Sequence, residues 1–257
     1  MDLLSIAAAT TLVFCAPGYP GGAEDAQPLL DQFTQAVALS AHWPAGSLES
    51  VYDPTEAGGL SRLEAADAAL AFVPYPFYFE HGKQLHLAPL VEGDLLEVGT
   101  TQRWSLVAKA GRAGTPASLQ GFTLLSVAGY APQFVRRAAL PGYALPADVK
   151  IVATAQILSA LRRIAAGDPV IALLDQEQAD ALATLPFGSQ LQTLTRSPPV
   201  PVALIALVDK RLTPARASSL KQGLLALGSA AQGPAALAPL RLKGFVPPEL
   251  PADSTAP

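Results

Sequence analysis

The sequence predicts an α/β protein built from two strand–helix units. Three observations carry this. Short apolar runs alternate with segments of helical spacing along most of the chain. The alternation restarts as a new unit at Trp104-Ser-Leu-Val-Ala108. A Ser197-Pro-Pro-Val-Pro201 stretch, stiff and extended, then marks a linker. Strand, helix, strand, helix, strand means right-handed crossovers and a parallel sheet.

Each element has a local reason. Thr10–Ala16 reads as a buried strand, stopped by the Pro/Gly-rich run Pro17 to Gly22. Glu24 and Asp25 favour the first turn of a helix through its dipole. Leu29, Leu30, Phe33, Ala36 and Val37 then recur at helical spacing. Leu48–Tyr52 is the next strand, and Asp53 or Thr55 caps a helix to Ala65. Asp67–Val73 is a third strand. The aromatic stretch Phe72, Tyr75, Phe77, Tyr78 and Phe79 is broken by Pro74 and Pro76, and Leu85–Val91 is extended. In the second unit, Thr115–Leu119 starts a short helix with Pro116 near its first turn. Strands follow at Phe122–Leu125, Lys150–Val152 and Val170–Leu174. Helices follow from about Tyr130 to Leu140, over Thr154–Ala166 with Ile157, Leu158, Leu161 and Ile164 on one face, and over Gln176–Leu185. Gly167 ends the middle one. Val202–Val208 is a strand, Pro214–Leu227 and Gly233–Leu240 are helices, and the Pro-rich tail from Pro247 is expected to fray.

Composition narrows the function. The 257 residues are 50% hydrophobic and only 15% charged, with net charge −4, so disorder and a basic nucleic-acid footprint are both excluded. One cysteine forms no intrachain disulfide and no thiolate zinc cage, and three histidines leave little for a metal site. Leu3 to Ala16 is apolar but follows Asp2 without a basic residue, which argues against a leader. It meets Pro17 too early to span a bilayer, which needs about 20 apolar residues. If the protein is exported, its leader is expected to have been removed. There is no G-x-S-x-G elbow, phosphate-loop lysine motif, H-E-x-x-H or strand-linked G-x-G-x-x-G.

Several stretches carry a family likeness. Asp67-Ala-Ala-Leu-Ala-Phe-Val-Pro-Tyr-Pro-Phe-Tyr78 is similar to a "DLAWLGPxAY" strand and loop. Ala117-Ser-Leu-Gln-Gly121 matches "SLADLKGK", and Ala165–Asp175 matches "VAAGEVDAAVLD". Thr11–Pro28, Ser197–Pro201 and Lys243–Pro247 complete the order. Together they resemble the phosphonate/phosphate-type periplasmic solute-binding proteins, the PhnD-like receptors of ABC transporters. The resemblance implies a type II two-lobe fold, each lobe a mostly parallel sheet flanked by helices, joined by two crossover strands. It places lobe 1 at residues 1–101 and 200–257, and lobe 2 at 102–199. It also implies a periplasmic or extracytoplasmic receptor that captures a small ligand between the lobes for a permease, with no cofactor, metal, nucleic acid or catalytic residue, working as a monomer. A sensory or accessory binding protein, or an enzyme on the same bilobal fold, remains open.

An anion receptor needs N–H groups and hydroxyls converging at helix N-termini. Tyr19 to Gly22 and Ser126 to Tyr130 are the two candidates. The family's second loop reads "STSG"; here it is Ser126-Val127-Ala128-Gly129, two hydroxyls short. The candidate ligand residues are Tyr19, Tyr75, Ser126, Gly129, Tyr130 and Asp175, each following a strand end. Their plain alternatives are a turn, interlobe packing, a helix cap and a packing glycine. Arg136 and Arg137 read as a solvated face, and His42 and His81 as surface or packing residues.

Overall fold

The computed structural model describes residues 9–18, 21–112 and 115–251. In chain order the elements are β1 (Thr10–Cys15), α1 (Ala23–Ser40), β2 (Leu48–Asp53), α2 (Glu56–Glu64), β3 (Ala68–Pro74), α3 (Tyr75–His81), β4 (Leu87–Leu95), β5 (Thr101–Gln102) and β6 (Ser105–Lys109). Then come β7 (Thr123–Ser126), β8 (Lys150–Ala153), α4 (Ile157–Ala166), β9 (Val170–Leu174), α5 (Gln176–Asp180), β10 (Leu191–Arg196), β11 (Val200–Pro201), β12 (Ala203–Val208), α6 (Pro214–Ala226), α7 (Gly233–Leu237) and β13 (Leu242–Val246).

Two sheets form two lobes. The six-stranded sheet has the order β13-β4-β12-β3-β1-β2, and the five-stranded sheet the order β10-β6-β9-β7-β8. Both are mixed. β2, β1 and β3 are parallel neighbours, as are β8, β7 and β9. β12 and β13 run against their neighbours in the first sheet, and β6 does so in the second. The antiparallel strands enter from a crossover or close the lobe, a geometry no local apolar run encodes.

The two chain crossings pair with each other. β5 and β11 form a two-stranded antiparallel ribbon, with Val200 opposite Gln102 and Pro201 opposite Thr101. Ser197 is fully buried beside them; its Oγ accepts the N–H of Trp104 at 2.9 Å and donates to the carbonyl of Pro198 at 2.6 Å. The Arg103 guanidinium donates to the Ser197 carbonyl at 2.7 Å. Buried polar groups here are paired, which makes the crossing a defined joint rather than a loose tether.

Local signals explain most elements. The Thr55 side chain caps α2 by accepting the N–H of Gly58, which decides between the two candidates. Gly167 takes φ +100° and closes α4, its N–H reaching the Arg163 and Ile164 carbonyls. α4 buries Ile157, Ala160, Leu161 and Ile164, whereas Leu158 faces outward.

Three expectations are corrected, and one strand without a sequence signal is added. The aromatic stretch is a helix, α3: Pro74 is its N-cap and Pro76 sits in the first turn, where a missing N–H breaks no bond. The prolines start this helix instead of interrupting it. β10 pairs along β6 and carries no apolar alternation strong enough to announce itself. The helix expected from about Tyr130 is a turn at 127–130 followed by a π-helical segment, Phe134–Ala139. Arg136 on that segment is not a solvated cation: its guanidinium donates to the carbonyls of Leu145, Pro146 and Val149 and pins that loop.

The tail also packs. The Glu249 N–H donates to the buried Glu92 carboxylate at 2.7 Å, and Leu250 lies against the core. Pro251 lines a cavity of about 90 Å³ with Tyr75, Phe79, Arg137 and Pro198–Val200. Burial raises the Glu92 carboxyl above its ordinary value, only partly opposed by the Glu249 N–H. A raised folded-state value means the folded protein holds the proton more tightly, so stability is lost as pH rises through it. E92Q keeps an acceptor for Glu249 and removes the charge. We expect it to raise the melting temperature at pH 7 and to flatten the decline of stability with rising pH, in melts recorded across pH 4–8.

Candidate functional site

Loops follow the C-terminal ends of the parallel strands in both lobes. On one side they follow β1, β2 and β3; on the other they follow β7, β8 and β9. Ligand crevices in α/β sheets lie at such edges. The loops touch: Gly18, at φ +84°, packs so tightly on the second lobe that a Cβ there would collide with the Val127 carbonyl oxygen. Tyr19 itself lies outside the described residues.

In the second lobe, Ser126 ends β7 with no exposed surface. Its Oγ accepts the Ala128 N–H at 3.1 Å, and its carbonyl accepts the Gly129 and Thr154 N–H groups at 3.1 and 2.9 Å. The hydroxyl proton can still be donated, since that bond uses an oxygen lone pair. Val127 and Ala128 are buried at 5% and 1% exposure, so they contribute shape and backbone but no hydroxyls. Gly129 is a contact glycine: a Cβ there would strike the Val152 carbonyl at the end of β8. Tyr130 follows, half-buried.

Asp175 follows β9 and is 7% exposed. Its carboxylate accepts the Gln178 N–H at 2.9 Å, and the Gln178 side chain accepts the Asp175 N–H in return. That is a complete capping box. Burial pushes its carboxyl above the ordinary range, opposed by the capping N–H bonds.

Tyr75 comes from the first lobe and is 1% exposed. Its ring packs edge-on against Phe134 of the second lobe at 6.0 Å, and Phe134 packs on Trp104 at 5.3 Å. One apolar cluster therefore runs from Val13, Val73 and Phe77 through this stack into Leu106, Leu124 and Ile171. Ser126, Gly129, Tyr130 and Asp175 share one sheet edge, and Tyr75 meets their lobe through Phe134.

Sequence reasoning missed other interlobe contacts. Glu80, near the end of α3, accepts the N–H groups of Gln133 and Phe134. Arg241 pairs with Glu97 and, across the lobes, with Glu177, each at 2.6 Å. No motif announces them: α3 is not visible in the sequence, and the partners lie far apart along the chain. His81 pairs with Glu56 at 2.8 Å within the first lobe. Cys15 is buried, and burial with Asp53 and Glu56 nearby pushes its thiol up to about 12, so it is no nucleophile. Among the described residues no group of His, Cys, Asp or Glu could hold a metal, and no helix is long and apolar enough to cross a membrane.

Residues 110–253, more than half of the chain, match the family described as "ABC transporter, phosphonate, periplasmic substrate-binding protein". The chain belongs to this family. As a phosphonate-type substrate-binding protein it shares its architecture with solved relatives. The XAC2383 protein from Xanthomonas citri bound to ATP superposes with TM-score 0.69 at 15% identity, over 94% of this chain and 92% of that one. A binding protein component of an ABC phosphonate transporter from Pseudomonas aeruginosa gives 0.63 at 14% identity, over 96% and 83%. PhnD1 from Prochlorococcus marinus, in complex with methylphosphonate, gives 0.59 at 12% identity, over 93% and 93%. At these identities the likeness fixes the type II binding-protein fold. A sequence search of curated proteins finds no match. The family is substrate-binding and periplasmic, so this receptor's role is capture of a small solute for an ABC transporter.

Proposed function

We propose that the chain captures a phosphonate- or phosphate-type oxyanion between its lobes, presents it to a permease outside the cytoplasm, and leaves it chemically unchanged. The observation that carries this reading is the meeting of strand-end loops from both lobes at Gly18 and Val127. In this reading the lobes are residues 1–101 with 200–257, and 102–199, and the receptor works as a monomer. Tyr19, Tyr75, Ser126, Gly129, Tyr130 and Asp175 border the ligand. Family membership supports the oxyanion class. Val127 and Ala128 stand where the family pattern has hydroxyls, so the anion relies on backbone N–H groups, the Ser126 hydroxyl and tyrosine hydroxyls. The substrate-binding character of the family supports binding without turnover.

A thermal-shift panel tests this with phosphate, phosphite, methylphosphonate, aminoethylphosphonate, sulfate, and neutral and carboxylate metabolites. A ligand at a hundredfold excess over its Kd stabilises the folded state by about 2.7 kcal/mol. At roughly 2–4 °C per kcal/mol, the melting temperature should rise by several degrees with a phosphorus oxyanion. A shift only with another class overturns the ligand assignment. Conversion of any panel member, read by mass spectrometry, overturns the receptor reading.

A further inference from the structure

We propose that Glu80 is an interlobe clasp, a positioning residue that sets the balance between open and closed lobes. Glu80 lies in the last full turn of α3 in the first lobe. One of its carboxylate oxygens, Oε2, accepts two N–H groups of the second lobe, from Gln133 at 2.9 Å and from Phe134 at 3.3 Å. These are the opening N–H groups of the helical segment that follows the Ser126–Tyr130 loop, because Pro132 has no N–H to offer. The Val135 N–H already bonds back to the Ala131 carbonyl at 3.0 Å. Glu80 thus satisfies the donors of that first turn from across the joint.

The charge is placed for its partner and not for its own helix. A carboxylate at the C-terminal end of α3 opposes the α3 dipole, whereas the same carboxylate at the start of a helix is stabilised by it. The gain exists only while the lobes are together. The rings beside it make the contact specific: Phe79 and Tyr75 of α3 pack on Phe134, whose N–H is one of the two donors, with ring centroids 6.0 Å apart in both pairs. A second side-chain contact across the lobes, Arg241 with Glu177, is exposed on both partners and is screened by salt. Glu80 is half-buried and its bonds are charge-assisted, so of these two side-chain contacts it holds the lobes more firmly. The clasp does not depend on which solute the cleft takes.

The test measures lobe separation directly. Lys150 and Lys210 are exposed, one on each lobe, and K150C/K210C supplies two spin-label sites while buried Cys15 stays unlabelled. Pulsed dipolar distances are recorded on the K150C/K210C protein and on its E80A and E80Q versions without added solute. We expect E80A to raise the ratio of separated to closed lobes by about tenfold, with E80Q between it and the parent because it keeps an acceptor without the charge. Circular dichroism melts accompany both. Distance distributions equal to the parent's overturn the proposal, including the case where only the melting temperature falls, since that is a merely structural role. If E80A does not fold, E80Q decides on the same criterion.

Discussion

Trp104→Ala should lower the stability of the protein by about 3–5 kcal/mol, the usual cost of emptying a buried aromatic site. Trp104 has no exposed surface and packs edge-on against Phe134 at 5.3 Å, in the stack that joins the lobes. Its loss opens a cavity at the joint, where neither sheet can collapse alone. Trp104→Phe separates two contributions. Among the described residues the Trp104 indole nitrogen is the buried side-chain polar atom without a partner, and an unsatisfied buried donor costs about 1–3 kcal/mol. Phenylalanine keeps most of the ring and removes that donor. Chemical denaturation should therefore show W104F within about 1.5 kcal/mol of the parent. A loss as large as that of W104A would mean the indole nitrogen has a partner, such as a buried water. The same burial makes Trp104 fluorescence a readout of lobe separation.

Gly18→Ala is the second large effect, and it acts on binding as well as on stability. Gly18 adopts φ +84°, which costs an L-residue roughly 1–2 kcal/mol. The added methyl also meets the Val127 carbonyl, a backbone atom that cannot rotate away. Overpacking of this kind costs about 1–3 kcal/mol more. The lobes relieve it by separating, so the closed form loses most of that sum. Titration calorimetry with whichever panel solute binds the parent should show affinity reduced at least tenfold, the equivalent of about 1.4 kcal/mol. Unchanged affinity would place the ligand away from the Gly18–Val127 meeting point. Gly46 is the control: it also has positive φ but has open space where a Cβ would go. G46A should therefore show backbone strain alone, with binding intact.

Much of this protein is legible in its sequence, because much of it is local. Leu12–Cys15, Ala68–Val73 and Val170–Leu174 are unbroken apolar runs within their strands, and burial on both faces of a sheet favours that. Gly167 ends α4 because only a residue without a Cβ takes that left-handed turn freely. Ser126, Gly129 and Asp175 could be found since each stands just past a strand, where a cap or a tight contact is needed anyway. That same fact hides their role. Asp175 completes a capping box and Gly129 packs on Val152, functions any α/β loop requires.

What tertiary structure alone decided is how the two lobes meet. α3 was hidden because Pro74 and Pro76 look like breakers until one sees that a helix begins there. Glu80 meets Gln133 across 53 residues, Arg241 meets Glu177 across 64, and Gly18 meets Val127 from the other sheet. Contacts at such separations leave no period and no spacing in the chain. They arise when two independently patterned sheets, tied by the β5–β11 ribbon, settle against one another. The sequence by itself determined most of the strands and helices, their caps and the family; the mixed order of the sheets and the register between the lobes, and so the shape of the cleft, belong to the folded molecule, because side chains distant in sequence become neighbours only through packing.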